Sequence, residues 1–142
     1  DRGTEICLAD ADSFAAEMAC VGVSANQCME DSPGGSSTYG MGGCLDRELQ
    51  FWDQRLNDNY AAVMVQAKRM DADAIPGPEG RPGVADALRE MQRAWIGFRD
   101  AKCAYVASQW GGGTGAGPAS VSCHLHETAS QLFYLQSSQF GE

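Results

Sequence analysis

Between Cys44 and Asp71 the apolar positions Leu45, Leu49, Trp52, Leu56, Tyr60, Val63, Ala67 and Met70 follow one another at steps of three and four residues. That spacing brings each side chain back to one face of a helix, so a long amphipathic helix is predicted here. Leu88, Met91, Trp95 and Phe98 repeat the pattern, and so do Val121, Leu125, Thr128, Leu132 and Leu135. Each of the three segments has one stripe to bury, which predicts an antiparallel helical bundle. Ala72 to Pro82, with Pro76, Pro78 and Pro82 and glycines at 77 and 80, forms an exposed connection, and Pro82 suits the first turn of the next helix. Trp110 and the glycines at 111 to 113 end the second helix, and a new one starts near Pro118.

The N-terminal part is shorter. Ser13 to about Met29 reads as one helix with Phe14, Met18, Val21 and Ala25 on one side, and residues 2 to 10 as one or two turns before it. Asp31 to Gly43, rich in glycine and serine, reads as a loop of the kind that is functional or pinned at its ends. No stretch alternates like a strand. The expected fold is all-α, a disulfide-stapled antiparallel bundle of about four helices, with residues 1–142 forming one domain.

The six cysteines, at 7, 20, 28, 44, 103 and 123, include no C-x-x-C pair, so three disulfides and an oxidising compartment are expected. A helical hairpin around the glycine turn brings Cys103 to Cys123, and closing a loop of that span contributes about 3 kcal/mol. Cys28 and Cys44 flank the glycine-rich loop, and a bridge between them makes it a hoop. Elimination leaves Cys7 with Cys20, although six cysteines keep other connectivities open. No run of about 18 apolar residues is present for a membrane span. The start at Asp1, with no charged and apolar leader after it, is read as a secreted chain whose signal peptide has been removed. Ile6 before Cys7 is a poor fit to a lipidation site. Ten Lys and Arg against 19 Asp and Glu leave a net charge of −9. Such a surface repels nucleic acid and anionic lipid and attracts a basic partner.

Candidate chemistry is sparse. Cys123, His124 and His126 do not share a helix face, and Ser130 stands where a zinc-peptidase helix needs its second histidine, so no metal site is expected. The run GGGTGAG at 111 to 117 lacks the Lys-Ser or Lys-Thr ending of a phosphate loop and reads as a flexible turn. Glu48, Asp53, Glu90, Asp100 and Glu127 are available carboxylates, read as solvated charges or ion pairs rather than a catalytic pair. Arg99, four residues after Trp95, is placed to stack on the indole and fork to a carboxylate or to loop carbonyls. Asn57 and Gln92 lie one position past apolar stripe residues and are read as interhelical hydrogen bonders.

Three motifs carry a resemblance: C-L-D-R-E from Cys44, W-D-x-x-L-N-x-x-Y from Trp52 to Tyr60, and Q-R-A-W-x-x-F-R-D-x-x-C from Gln92 to Cys103. With the glycines at 111 to 113 and Cys123 followed by Thr128, the chain resembles the LprI-like lysozyme-inhibitor family. The motif residues Trp52, Asn57, Tyr60, Gln92, Trp95, Arg99 and Asp100 are its structural signature here. The resemblance implies a helical, disulfide-stapled periplasmic domain with a protein partner, a lysozyme among the candidates, and neither cofactor nor catalytic residue. The leading expectation is a non-enzymatic inhibitor of a cell-wall hydrolase that presents the 31–43 hoop, with Tyr39 and Met41 as anchors. The alternative is an envelope adaptor or ligand-binding module using the seam near Trp52, Trp95 and Arg99.

Overall fold

The computed structural model describes residues 1–75, 77 and 83–138. Over those residues the protein is all-α, with six helices and no strand. They are α1 (Arg2–Asp10), α2 (Phe14–Ala19), α3 (Val23–Asp31), α4 (Thr38–Asp73), α5 (Val84–Ser108) and α6 (Ala116–Ser137). The three long helices run up, down and up, and α6 packs on both α4 and α5. The fourth member of the expected bundle is present in three pieces, with α2 lying on α6 and α3 on α4.

The predicted helix from Ser13 to Met29 is interrupted because Gly22 takes a left-handed conformation, with φ 97°. Glycine adopts that backbone without a Cβ clash, so the chain turns there and restarts as α3. Ser13 caps α2 by accepting from the Ala16 N–H at 3.1 Å. Hydroxyl groups then tie α1 to α3: the Thr4 N–H and Oγ1 both donate to Ser24 Oγ, at 3.0 and 2.7 Å, and the Ser24 N–H donates to Thr4 Oγ1 at 3.1 Å. Disulfides link Cys7 to Cys20, Cys28 to Cys44, and Cys103 to Cys123.

At the far end of the bundle α5 begins at Gly83, which has no side chain to cap it. Asp71, from the last turn of α4, does so instead, accepting from the N–H groups of Val84 at 2.7 Å and Ala85 at 3.0 Å. This contact holds the end of α4 against the start of α5. Residues 72 and 73, expected in the connection, are helical. Pro76, Pro78, Gly80 and Pro82 lie outside the described residues.

The core is centred on Trp52, which is 0% exposed. Its ring meets Phe51 and Phe133 edge to face, with centroids 5.3 and 5.4 Å away. Leu56, Leu125, Leu132 and Leu135 surround it, with Leu88, Met91 and Trp95 packed from the side. Trp95 is half-buried rather than enclosed between helices. Phe98, expected on the buried stripe of α5, is 60% exposed. After Trp95 the inward face continues through Arg99, Cys103 and Val106, a step of four where the expected pattern took three. Phe98 falls on the flank and lies beneath Lys102, whose Nζ is 5.9 Å from its ring centroid.

Trp52→Ala opens a cavity at the centre of this cluster and is expected to cost about 3–5 kcal/mol. Trp110→Ala, at an exposed turn residue, should cost less than about 1 kcal/mol. Urea melts of both variants check the ordering, and equal losses would show that the core has been assigned to the wrong tryptophan.

Candidate functional site

The expected 31–43 hoop is shorter than its composition indicates. Asp31 ends α3, and α4 begins at Thr38, so 38–43 are helical and Tyr39 and Met41 sit on the first turns of a helix. Ser37 provides the start: its Oγ accepts from the Gly40 N–H at 3.0 Å and donates to the Gly34 carbonyl at 2.6 Å. Two glycines let the remaining turn fold tightly. A Cβ on Gly40 would overlap the Gly34 carbonyl oxygen, and one on Gly35 would overlap that of Met29. The Cys28–Cys44 bridge closes the base of the turn. Helix propensity disfavours glycine, but capping, close backbone packing and the disulfide together outweigh it.

Tyr39 consequently projects from a rigid platform and is 93% exposed, while Met41 is half-buried. Beside Tyr39 runs a groove of about 420 Å³ between the parallel starts of α4 and α6, lined by Thr38, Gly42, Gly43, Gly117, Pro118 and Val121. Small residues on both walls keep it open and largely apolar. An exposed aromatic next to such a groove is a surface suited to anchoring a protein partner.

A second feature lies where the three long helices meet. The Arg99 guanidinium stacks over Trp95, 5.0 Å from the ring centroid, and its Nε and Nη2 both reach Asp100 Oδ1 at 3.0 Å. Asp100 also approaches His124 Nε2 at 3.4 Å, and His124 Nδ1 donates to the Ser120 carbonyl at 2.9 Å. Arg99 and His124 line a pocket of about 220 Å³ with Leu49, Gln50 and Asp53. It contains neither a nucleophile paired with a base nor a pair of carboxylates in contrasting environments. Among the described residues no group of three or more His, Cys, Asp or Glu is arranged to hold a metal ion.

The other motif residues are structural. Trp52 is sealed in the core, Tyr60 packs against its edge, and Gln92 accepts from Gln131 Nε2 at 2.9 Å, joining α5 to α6. Asn57, expected at an interhelical hydrogen bond, is exposed, because one step past Leu56 the α4 surface already faces outward. Trp52 therefore does not open onto a seam with Trp95 and Arg99.

Glu48 departs furthest from its sequence-based expectation. It is 0% exposed, not solvated, and accepts from the Gly22 N–H at 2.7 Å, the Ala25 N–H at 2.8 Å and Trp52 Nε1 at 2.8 Å. Its signal was present: Glu48 lies three residues after Leu45 and four before Trp52, on the inward face. A carboxylate in that position needs buried donors.

Comparison with known proteins gives a match to the family described as lysozyme inhibitor LprI, over residues 28–135. An uncharacterised 17.7 kDa protein from the puhA 5′ region of Rhodobacter capsulatus is 29% identical over 140 residues, 98% of this chain and 86% of that protein. An uncharacterised protein of Rhizobium meliloti (strain 1021) is 31% identical over 71 residues, 50% of this chain and 51% of its own. No solved structure matches.

The glycines of the first α4 turns are separable by substitution. Gly42→Ala and Gly43→Ala meet open space and should each raise stability by about 0.5–1 kcal/mol, whereas Gly40→Ala should lower it by forcing the 34–37 turn away. Thermal melts of the three variants are the check. Stabilisation by Gly40→Ala would contradict the tight turn.

Proposed function

Since the chain belongs to the family of the lysozyme inhibitor LprI, we propose that it is a non-enzymatic periplasmic protein that binds a lysozyme and blocks it. The observation carrying this reading is the family match, which spans 28–135 and so takes in the turn before α4, all of α4 and α5, and α6 up to Leu135. In this reading residues 1–142 act as one domain, and Tyr39 and the groove beside it form the contact surface. Tyr39 sits on a capped, disulfide-braced helix start, so little entropy is lost when it is immobilised by a partner. The net charge of −9 steers a basic lysozyme toward the protein. The three disulfides fit an oxidising compartment. The alternative, an adaptor or ligand-binding module, would use the pocket that Arg99 lines beside Trp95, from which the buried Trp52 is withdrawn.

Stoichiometric protein should inhibit at least one of the chicken-type, goose-type or invertebrate-type lysozymes. Its association rate should fall as salt rises, because steering is screened over about 10 Å at 0.1 M salt. Tyr39→Ala should speed dissociation by at least about tenfold, the loss of roughly 1.4 kcal/mol, with helical content unchanged. Surface-binding kinetics across a salt series measure both effects. Absence of saturable binding to all three classes at low salt would overturn the inhibitor reading.

A further inference from the structure

The turn between α5 and α6 is shaped around an aromatic ring. Gly111 takes φ 58°, and the Gly113 N–H donates to the Trp110 carbonyl at 2.9 Å, folding the chain tightly behind Trp110. The indole then lies against Gly115, where a Cβ would overlap its six-membered ring. The Cε3–Cζ3 side of the ring is thereby held close to backbone, yet the side chain stays 54% exposed. The glycine run does more than permit a turn: it holds an open indole in a fixed place.

That indole borders a groove of about 520 Å³ between α5 and α6, within the size range of small-ligand sites. Val106, Ala119 and the Cys103–Cys123 bridge give the groove an apolar side. Its rim is polar. Lys102 and Glu127 bond to each other across it, and Ser122 and His126 stand beside them. His126 Nδ1 donates to the Ser122 carbonyl at 2.8 Å, which leaves Nε2 available to a ligand. The lysine and glutamate neutralise one another, so the groove selects neither an anion nor a cation. A flat aromatic platform with a neutral rim of donors and acceptors suits a flat ligand with apolar C–H faces and hydroxyl groups around its edge. A pyranose ring has that form, placing its C–H bonds on the π-face and its hydroxyls toward the rim.

We propose that the groove lined by Trp110, Lys102, Ser122, His126 and Glu127 is a binding site for a neutral pyranose oligosaccharide. It lies on the opposite side of the first α6 turns from the Tyr39 groove, so it stands independently of lysozyme binding. The test is isothermal titration of the intact, oxidised protein with cellotriose and with fully N-acetylated chitotriose, in which an acetamido group replaces the C2 hydroxyl of each ring. Saturable binding of either sugar in the millimolar range or tighter is expected. Trp110→Ala should weaken it by at least about tenfold. Gly115→Ala should do the same while keeping the indole, because the added methyl displaces the ring. The backbone at 115, with φ −72° and ψ −11°, accepts alanine, so this variant keeps its fold. Glu127→Gln should weaken binding less than either. No binding of either sugar by the wild type, or binding undiminished in both Trp110→Ala and Gly115→Ala, would overturn the proposal.

Discussion

The buried Glu48 carboxylate is the joint on which the arrangement of the N-terminal helices depends. Removing a carboxylate from water costs on the order of several kcal/mol, which good hydrogen bonds can offset. Glu48 has three of them, all to N–H donors at 2.7–2.8 Å. Two come from the start of α3, where unpaired N–H groups and the helix dipole favour negative charge. The third comes from Trp52, whose indole must find an acceptor once it is buried. One side chain on α4 thus caps α3, satisfies the core tryptophan and fixes the distance between the two helices. Gly22 completes the joint by turning the chain so that its own N–H points at the carboxylate.

The same logic recurs across the molecule. Asp71 caps α5 from α4 as Glu48 caps α3 from α4, so the longest helix carries a carboxylate for the start of each neighbour that runs opposite to it. Disulfides then close the connections: Cys28–Cys44 behind the turn that presents Tyr39, and Cys103–Cys123 behind the one that seats Trp110. Both candidate surfaces lie at one end of the bundle, on either side of the first turns of α6. Helix ends held by caps and covalent bridges present aromatic side chains with little freedom left to lose, which favours binding.

The long helices were legible because their stripes repeat over many turns, and burial of one face dominates the local preferences of single residues. The family resemblance was legible in the Trp52–Tyr60 and Gln92–Cys103 motifs. What escaped depends on contacts between segments distant in sequence. Glu48 resembles a surface charge in the sequence because two of its three donors, the Gly22 and Ala25 amides, lie more than twenty residues earlier. The helical state of 38–43 is hidden by three glycines, of which Gly40 alone needs its missing side chain, for packing against Gly34 and Gly35. Gly22 concealed a break inside an otherwise helical pattern. Phe98 was misplaced by a single choice between a step of three and a step of four. The glycine run 111–117 reads as a flexible turn because its composition does not reveal that Gly115 lies against the Trp110 ring.

The central claim, that Glu48 holds α3 onto α4, is tested most directly by native-state hydrogen exchange at the Gly22 and Ala25 amides. In the wild type both should exchange only through global unfolding, as the core amides of α4 and α6 do. In Glu48→Ala their protection should fall far more than that of the α5–α6 hairpin. Rapid exchange of both amides in the wild type, at the rate of fraying helix ends, would contradict the claim.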